Sequence, residues 1–199
     1  MSKVICYTKQ HLPENYDENI WYFELLSKPL ESQDNIGYVG NGLLRELRRS
    51  KITPSSEALD FVVIAMSVVA ADKAILRKTS PDGWTRQIEL EIPLQNIEAW
   101  EKVKDKLEKM LRFLSGDFWK LTFTQLPERI ALDSFTESKD KDCVCLLSGG
   151  MDSLVGGIDL CESEKNHYLL LKRCVEMLSI KGNMQIHWVR IIFASGVAI

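Results

Sequence analysis

The stretch Cys143-Val144-Cys145-Leu146-Leu147-Ser148-Gly149-Gly150-Met151-Asp152-Ser153 predicts a strand, a glycine turn and the start of a helix. Its first five residues are apolar and have the length of a fully buried strand. The two glycines allow the backbone to turn sharply and to approach a ligand closely, because no side chains intervene. From Asp152 onward, apolar residues recur at helical spacings at Leu154, Val155, Ile158 and Leu160.

A glycine turn at the beginning of a helix is typical of a phosphate-binding site. The first amides of a helix lack internal partners and carry the positive end of its dipole. Anions are favoured there by roughly 0.3–1 kcal/mol per charge when exposed. Ser148 and Ser153 add hydroxyl donors, and Asp152 is suited to cap the helix or to hold a magnesium ion through water. The alternative is an ordinary strand-to-helix turn, which any α/β protein contains, but the serines and the aspartate favour the phosphate site.

The motif Ser-Gly-Gly-x-Asp-Ser after a strand closely resembles the phosphate loop of the PP-loop ATP pyrophosphatases, which cleave ATP between its alpha and beta phosphates. The wider run from Leu146 to Leu154 is most similar to the 7-cyano-7-deazaguanine synthase (QueC-like) branch of that family. The chain also has a separate domain before the loop, containing Asp82-Gly83-Trp84-Thr85-Arg86. This layout resembles the QueC-like component of the bacterial Qat anti-phage system.

The resemblance implies an ATP-dependent ligase. In such enzymes a carboxylate, 7-carboxy-7-deazaguanine in this branch, attacks the alpha phosphate and pyrophosphate leaves. The acyl-adenylate is then attacked by an amine, and ammonia yields an amide and then a nitrile. Carried over by position, the residues that contact the phosphates are Ser148, Gly149, Gly150, Asp152 and Ser153. The implied cofactors are ATP and magnesium, with zinc in the full-length family. The implied partners are a small deazapurine carboxylate and partner defence proteins.

The chain departs from this family after the loop. The family continues with several more strands and a cysteine cluster that binds zinc, for which this chain has no counterpart. Cys143 and Cys145 are better explained as strand packing than as a metal pair. Residues 168–180 predict an amphipathic helix stopped at Gly182-Asn183, and residues 186–193 predict an apolar strand. We therefore expect a truncated or frame-shifted tail, weak ATP binding at best and no measurable synthase activity.

The rest of the chain predicts an N-terminal α+β domain over residues 1–136, a polar linker over 137–142 and a partial doubly wound PP-loop domain over 143–199. Within the first domain we expect strands near residues 3–7, 88–92 and 119–123. A helix should begin at Thr53-Pro54 and run to about Ala71, and an amphipathic helix should cover residues 97–114, ended by Gly116. The aromatic cluster at residues 16–23 is interpreted as core, and the glycines of residues 37–42 as a turn.

Composition favours a cytoplasmic globular protein. The 199 residues are 45% hydrophobic and 27% charged, with a net charge of -3. Neither nucleic acid nor a membrane is therefore expected as a partner. The strongest apolar run, residues 61–71, falls short of the ~18 residues expected of a membrane span. Five cysteines without framework spacing favour reduced thiols.

Two other functions remain open at this point. The chain is alternatively a non-catalytic remnant whose N-terminal domain binds partner defence proteins. A PP-loop enzyme that modifies tRNA is the second alternative. That class normally shows a basic surface and catalytic cysteines after the loop, and neither is apparent here.

Overall fold

The computed structural model describes residues 2–9, 16–27, 36–40, 42–49, 51–126, 130, 143–147, 150–162, 167–172, 185–186 and 191–194. The chain divides into two compact units. Unit 1 comprises Met1–Ser134 with Lys181–His187, and unit 2 comprises Phe135–Ile180 with Trp188–Ile199. Residues 137–142, predicted as a linker, lie outside the described residues.

Unit 1 is built on a sheet of parallel strands with helices. Its elements in chain order are β1 (Ser2–Thr8), β2 (Ile20–Leu25), β3 (Ile36–Val39), α1 (Leu43–Arg49), α2 (Ser56–Ala74), a short 3₁₀ turn (Arg77–Thr79), β4 (Gln87–Leu94), α3 (Ile97–Glu101), α4 (Lys104–Ser115) and β5 (Phe118–Gln125). The five strands lie in the order β5-β4-β1-β2-β3, and every neighbouring pair is parallel. Read from β3 to β5, this is the strand order of a Rossmann-type half sheet.

The predicted α+β class of the N-terminal domain is therefore corrected to α/β. Sequence analysis found β1, β4 and β5 but not β2 and β3, and without those two strands the parallel order was not visible. β2 is buried along most of its length, so it lacks the alternation of a half-buried strand. β3 is short and contains Gly37, where a Cβ would lie 2.1 Å from Cε1 of Phe23. The absence of a side chain at Gly37 lets the Phe23 ring pack against the strand.

The helices of unit 1 largely follow the predicted periodicity. The helix expected to begin at Thr53-Pro54 is confirmed as α2, but its cap is Ser55, whose side chain accepts the Ala58 N–H at 3.2 Å. The helix expected over residues 97–114 is divided into α3 and α4. The division falls at Val103, a β-branched residue with φ −115° and ψ 3°, outside the helical range. α4 ends at Gly116 in the left-handed region, as predicted.

One hydrophobic core holds unit 1 together. α2 packs on β2, β3 and β4, and α4 packs on β5. The largest fully buried apolar side chains are Phe23, Leu25, Met66, Ile88, Leu90, Ile92, Leu94 and Leu121. Since burying an aliphatic or aromatic side chain stabilises a fold by about 1.5–3 kcal/mol, these residues of the sheet and of α2 supply much of the driving force for folding.

Unit 2 contains a strand, a helix and a parallel strand in succession. β6 (Cys143–Leu147) leads to α5 (Met151–Glu162) and then to β7 (His167–Lys172). β6 and β7 pair in parallel from Cys143↔His167 to Leu147↔Leu171, and β9 (Ile191–Ala194) pairs antiparallel to β7. This confirms the predicted strand before the glycines and the predicted helix after them, while residues 148–149 of the predicted turn lie outside the described residues.

The tail predictions were partly wrong. Residues 168–172 belong to β7 and not to a helix, and residues 173–180 lie outside the described residues. A short apolar run fits a strand as well as a helix, so periodicity alone misassigned it. Of the strand expected over 186–193, the described residues fall in two strands: Ile186 in β8 (Gln185–Ile186), which pairs with β3, and residues 191–193 in β9. Residues 187–190 lie outside the described residues.

Among the described helices, none combines the length and the apolar character needed to cross a membrane.

Candidate functional site

Gly150 lies in the connection between the carboxyl end of β6 and the start of α5. That strand ends at Leu147 and α5 begins at Met151, so Gly150 directly precedes the first helical residue. Gly150 and Asp152 are exposed, and Ser153 is half-buried. The two remaining predicted site residues, Ser148 and Gly149, lie outside the described residues.

Hydrogen bonds identify Gly150 as the cap of α5. The Leu154 N–H donates to the Gly150 carbonyl at 3.1 Å, which is the first bond of the helix. The Ser153 hydroxyl donates to the same carbonyl at 2.8 Å. Met151 and Asp152 occupy the first helical turn, where backbone N–H groups have no acceptor within the helix. An exposed helix start of this kind suits an anionic group, which the helix dipole also favours.

The parallel pairing of β6 with β7 places the glycine turn at a recognised position for ligands. Because Leu147 pairs with Leu171, the carboxyl ends of the two strands meet at one edge of the sheet. In open α/β sheets, ligands bind outside the carboxyl ends of parallel strands. The three described site residues therefore share an exposed strand-to-helix connection, and the arrangement is chemically suited to phosphate.

Family models, curated proteins and solved structures were all compared with this chain, and none matches. The family resemblance drawn from the loop residues thus stays a prediction.

Magnesium has one candidate protein ligand at this turn. The exposed carboxylate of Asp152 lies in the first turn of α5, beside the expected position of a phosphate. Within the part of the chain that the structure describes, no three His, Cys, Asp or Glu side chains come together as a metal site. A magnesium ion held here would accordingly take most of its oxygen ligands from phosphate and water, as magnesium in nucleotide sites commonly does.

A second polar cluster, which sequence analysis did not predict, lies in unit 1 at the amino ends of β4 and β5. Asp117 is completely buried and Arg86 is 3% exposed. Arg86 donates to Asp117 Oδ2 from Nη2 at 2.6 Å and from Nε at 3.1 Å. Burial alone raises the pKa of Asp117, but the hydrogen bonds from Arg86 outweigh it and lower that pKa below its ordinary value.

The same cluster ties the end of α2 to the sheet. Arg86 Nη1 donates to the carbonyls of Asp72 and Ile75 at 2.9 Å and 2.8 Å, which satisfies acceptors at the carboxyl end of α2. Arg77 supplies a second guanidinium to Asp117, at 2.9 Å and 3.0 Å. Every charged group in the cluster is paired, so its role is structural. Arg86 of the Asp82-to-Arg86 stretch is therefore a folding residue, whereas Trp84 in the same stretch is 69% exposed.

Proposed function

We propose that the connection between β6 and α5 binds the phosphates of ATP, and that the protein is a PP-loop member of the 7-cyano-7-deazaguanine synthase type. The proposed reaction is adenylation of a deazapurine carboxylate, followed by formation of an amide or nitrile. The observation that carries the proposal is the exposed Gly150 cap of α5 at the carboxyl end of a parallel strand pair.

The proposed site would position the phosphates of ATP and neutralise their negative charge. Adenylation requires the alpha phosphate to be held in line with an attacking carboxylate and the pyrophosphate to be stabilised as it leaves. Backbone amides from Gly150 onward would hold the phosphates, and Asp152 would orient a hydrated magnesium ion. The Ser153 hydroxyl donates to the Gly150 carbonyl in the structure and would turn to donate to a phosphate oxygen when ATP binds. Ser148 and Gly149 belong to the same proposed contact set. The resemblance adds an anti-phage setting in the cytoplasm as part of this proposal.

Substitution at the helix start tests the proposal. The double variant Asp152→Asn, Ser153→Ala removes the proposed magnesium ligand and one proposed hydroxyl donor. We expect it to weaken binding of a non-hydrolysable ATP analogue with magnesium by about tenfold or more, since hydrogen bonds to charged groups are worth ~1.5–3 kcal/mol. Asp159→Asn is the matched control, because Asp159 is an exposed carboxylate on α5 two turns away from the site.

Equal affinity of the double variant and the unsubstituted protein would contradict the site assignment. The reaction itself is assayed as pyrophosphate release that requires ATP, the carboxylated deazaguanine and an amine, and we expect this chain alone to show no measurable release. Release that is undiminished in the double variant would show that the chemistry occurs elsewhere on the chain.

A second candidate function, recognition of a partner protein by unit 1, is favoured by exposed apolar side chains. Phe113 is 88% exposed and Leu114 is 70% exposed at the end of α4. Arg77 lies beside this end of α4, because its Nη2 donates to the Ser115 carbonyl at 3.0 Å. The same guanidinium lies over the ring of Trp84, with its central carbon 5.3 Å from the ring centroid. Contiguous exposed apolar groups mark protein interaction sites. Phe113→Ser should abolish binding of a partner defence protein, whereas the Asp152→Asn, Ser153→Ala variant should retain it.

A further inference from the structure

Two tyrosines flank a buried glutamate at the carboxyl ends of β1, β2 and β3, and a third tyrosine lies near them. The strand register pairs Tyr7 with Glu24 and Glu24 with Tyr38, so the three side chains form a row across neighbouring strands on one face of the sheet. Tyr16 adds a third phenol, close enough to influence the ionisation of both Tyr7 and Tyr38. Its ring also contacts Tyr22 edge-on, with centroids 4.9 Å apart.

Among the described residues, the buried carboxylate of Glu24 has no cation as partner. Glu24 is 8% exposed, and its hydrogen-bond partner is the hydroxyl of Ser27, which donates to Oε1. In the described residues no lysine or arginine forms an ion pair with Glu24. Two other carboxylates on the same face of the sheet do have lysine partners: Glu89 with Lys120 at 2.7 Å, and Glu91 with Lys3 at 3.5 Å. Because a buried carboxylate is costly unless a positive charge compensates it, this position favours a cationic ligand.

Tyr7 supplies an independent indication of a ligand. It is 3% exposed, and its hydroxyl lies near Tyr16 without reaching any partner in hydrogen-bond geometry. Buried polar groups in native proteins nearly always have a partner, and an orphaned hydroxyl beside a buried carboxylate indicates a polar or charged occupant. Burial, and to a smaller extent the neighbouring Tyr16 and Glu24, raise the pKa of Tyr7, so its ring is a neutral phenol. Tyr16 is 45% exposed, and this side of the cluster faces solvent.

We propose that Tyr7, Tyr16, Glu24 and Tyr38 form a binding site for an organic ammonium group. Faces of tyrosine rings attract a cation through their quadrupole, and clusters of aromatic rings commonly recognise alkylated ammonium groups. A neighbouring carboxylate such as that of Glu24 adds a direct charge attraction. A metal ion is disfavoured because metal sites gather several acidic, histidine or cysteine ligands, and among the described residues no three His, Cys, Asp or Glu side chains converge. An anion is disfavoured by Glu24. The site lies in unit 1 and does not depend on the proposed nucleotide function.

Choline and its neutral isostere 3,3-dimethylbutan-1-ol are the probes that test this site. The two probes have nearly the same shape but differ by one positive charge. Comparing their affinities therefore isolates the contribution of that charge to binding. Binding to the full chain is followed by NMR of ring-labelled tyrosines. We expect saturable binding of choline in the millimolar range, with shifts confined to the three tyrosines of the site and to Tyr22, and at least tenfold weaker binding of the alcohol.

Glu24→Gln should weaken choline binding at least tenfold, because it removes the charge and keeps the shape. Glu89→Gln is the matched control, since it neutralises a paired carboxylate on the same sheet face, and it should leave choline binding unchanged. Thermal melting establishes that each variant folds. If Glu24→Gln fails to fold, the exposed Tyr16 decides the question: Tyr16→Phe should retain binding and Tyr16→Ala should weaken it severalfold.

Three results would overturn the assignment. They are equal affinity for the alcohol and for choline, unchanged choline affinity in Glu24→Gln or in Tyr16→Ala, and the absence of saturation up to about 100 mM choline.

Discussion

Replacement of Asp117 by asparagine tests how unit 1 is held together. Asp117 is completely buried and accepts hydrogen bonds from the Arg86 backbone N–H at 2.9 Å and from the side chains of Arg86 and Arg77. The variant Asp117→Asn keeps the shape but leaves the nearly buried Arg86 guanidinium without this carboxylate. Removing one partner of a buried ion pair typically costs about 3–5 kcal/mol.

We expect Asp117→Asn to lower the free energy of unfolding by about 3 kcal/mol, near the lower end of that range. The loss is limited because Arg86 retains Asp72 and two backbone carbonyls as acceptors. Whole proteins are stable by only about 5–15 kcal/mol, so the loss will be readily measured by urea denaturation. Glu89→Gln is the control. It breaks a more exposed ion pair between the same two strands, and surface pairs of this kind contribute little.

The reasoning is tested by how the loss of unfolding free energy in Asp117→Asn depends on pH. The folded-state pKa of Asp117 is lower than in the unfolded chain, so its stabilising contribution is present above the ordinary aspartate pKa of about 3.9 and is lost as pH falls through the lower folded value. The difference in unfolding free energy between Asp117→Asn and the unsubstituted protein should therefore be constant from pH 7 to 5 and shrink below about pH 4. A difference under about 0.5 kcal/mol at pH 7, or one that stays constant into acid, would refute the reasoning.

Two further predictions concern packing in unit 1. Gly40→Ala should destabilise the protein more than Gly83→Ala: both glycines have positive φ, of 76° and 70°, but a Cβ at Gly40 would lie 2.4 Å from the sulfur of buried Met66 and one at Gly83 would meet nothing within 4 Å. Equal unfolding free energies for the two variants would contradict this packing. Burial raises the pKa of the Cys6 thiol to about 12, so iodoacetamide at pH 8 should label Cys6, located by peptide mass mapping, after unfolding and not before. Rapid labelling of Cys6 in the folded protein would show that the β1 core is open.

Elements with clear periodicity were predictable from the sequence. β4 alternates apolar and polar residues and appears near its predicted bounds. α4 carries one apolar stripe and ends where predicted, but it begins at Lys104 because the predicted helix is divided at Val103. β2 and β3 were missed because burial and brevity remove that signal, and the parallel order of the sheet was lost with them. β7 was misassigned because a run of three leucines fits either type of element.

The two candidate sites differ in how much the sequence reveals. The phosphate connection is local: Gly150 caps α5 where the spacing of glycines, serine and aspartate predicts a helix start. The cluster around Glu24 is not local, because Tyr7, Glu24 and Tyr38 become neighbours only through the pairing of β1, β2 and β3. The Arg86–Asp117 pair is likewise separated by 31 residues and is brought together by the pairing of β4 with β5.

The most direct test of the proposed ATP site is an amide NMR titration with a magnesium–ATP analogue. Binding of the phosphates at the start of α5 predicts saturable shifts of the backbone amides from Gly150 to Ser153, with much smaller shifts on titration with adenosine, which lacks the phosphates. Saturable binding that leaves these amides unmoved and shifts residues elsewhere would contradict the account.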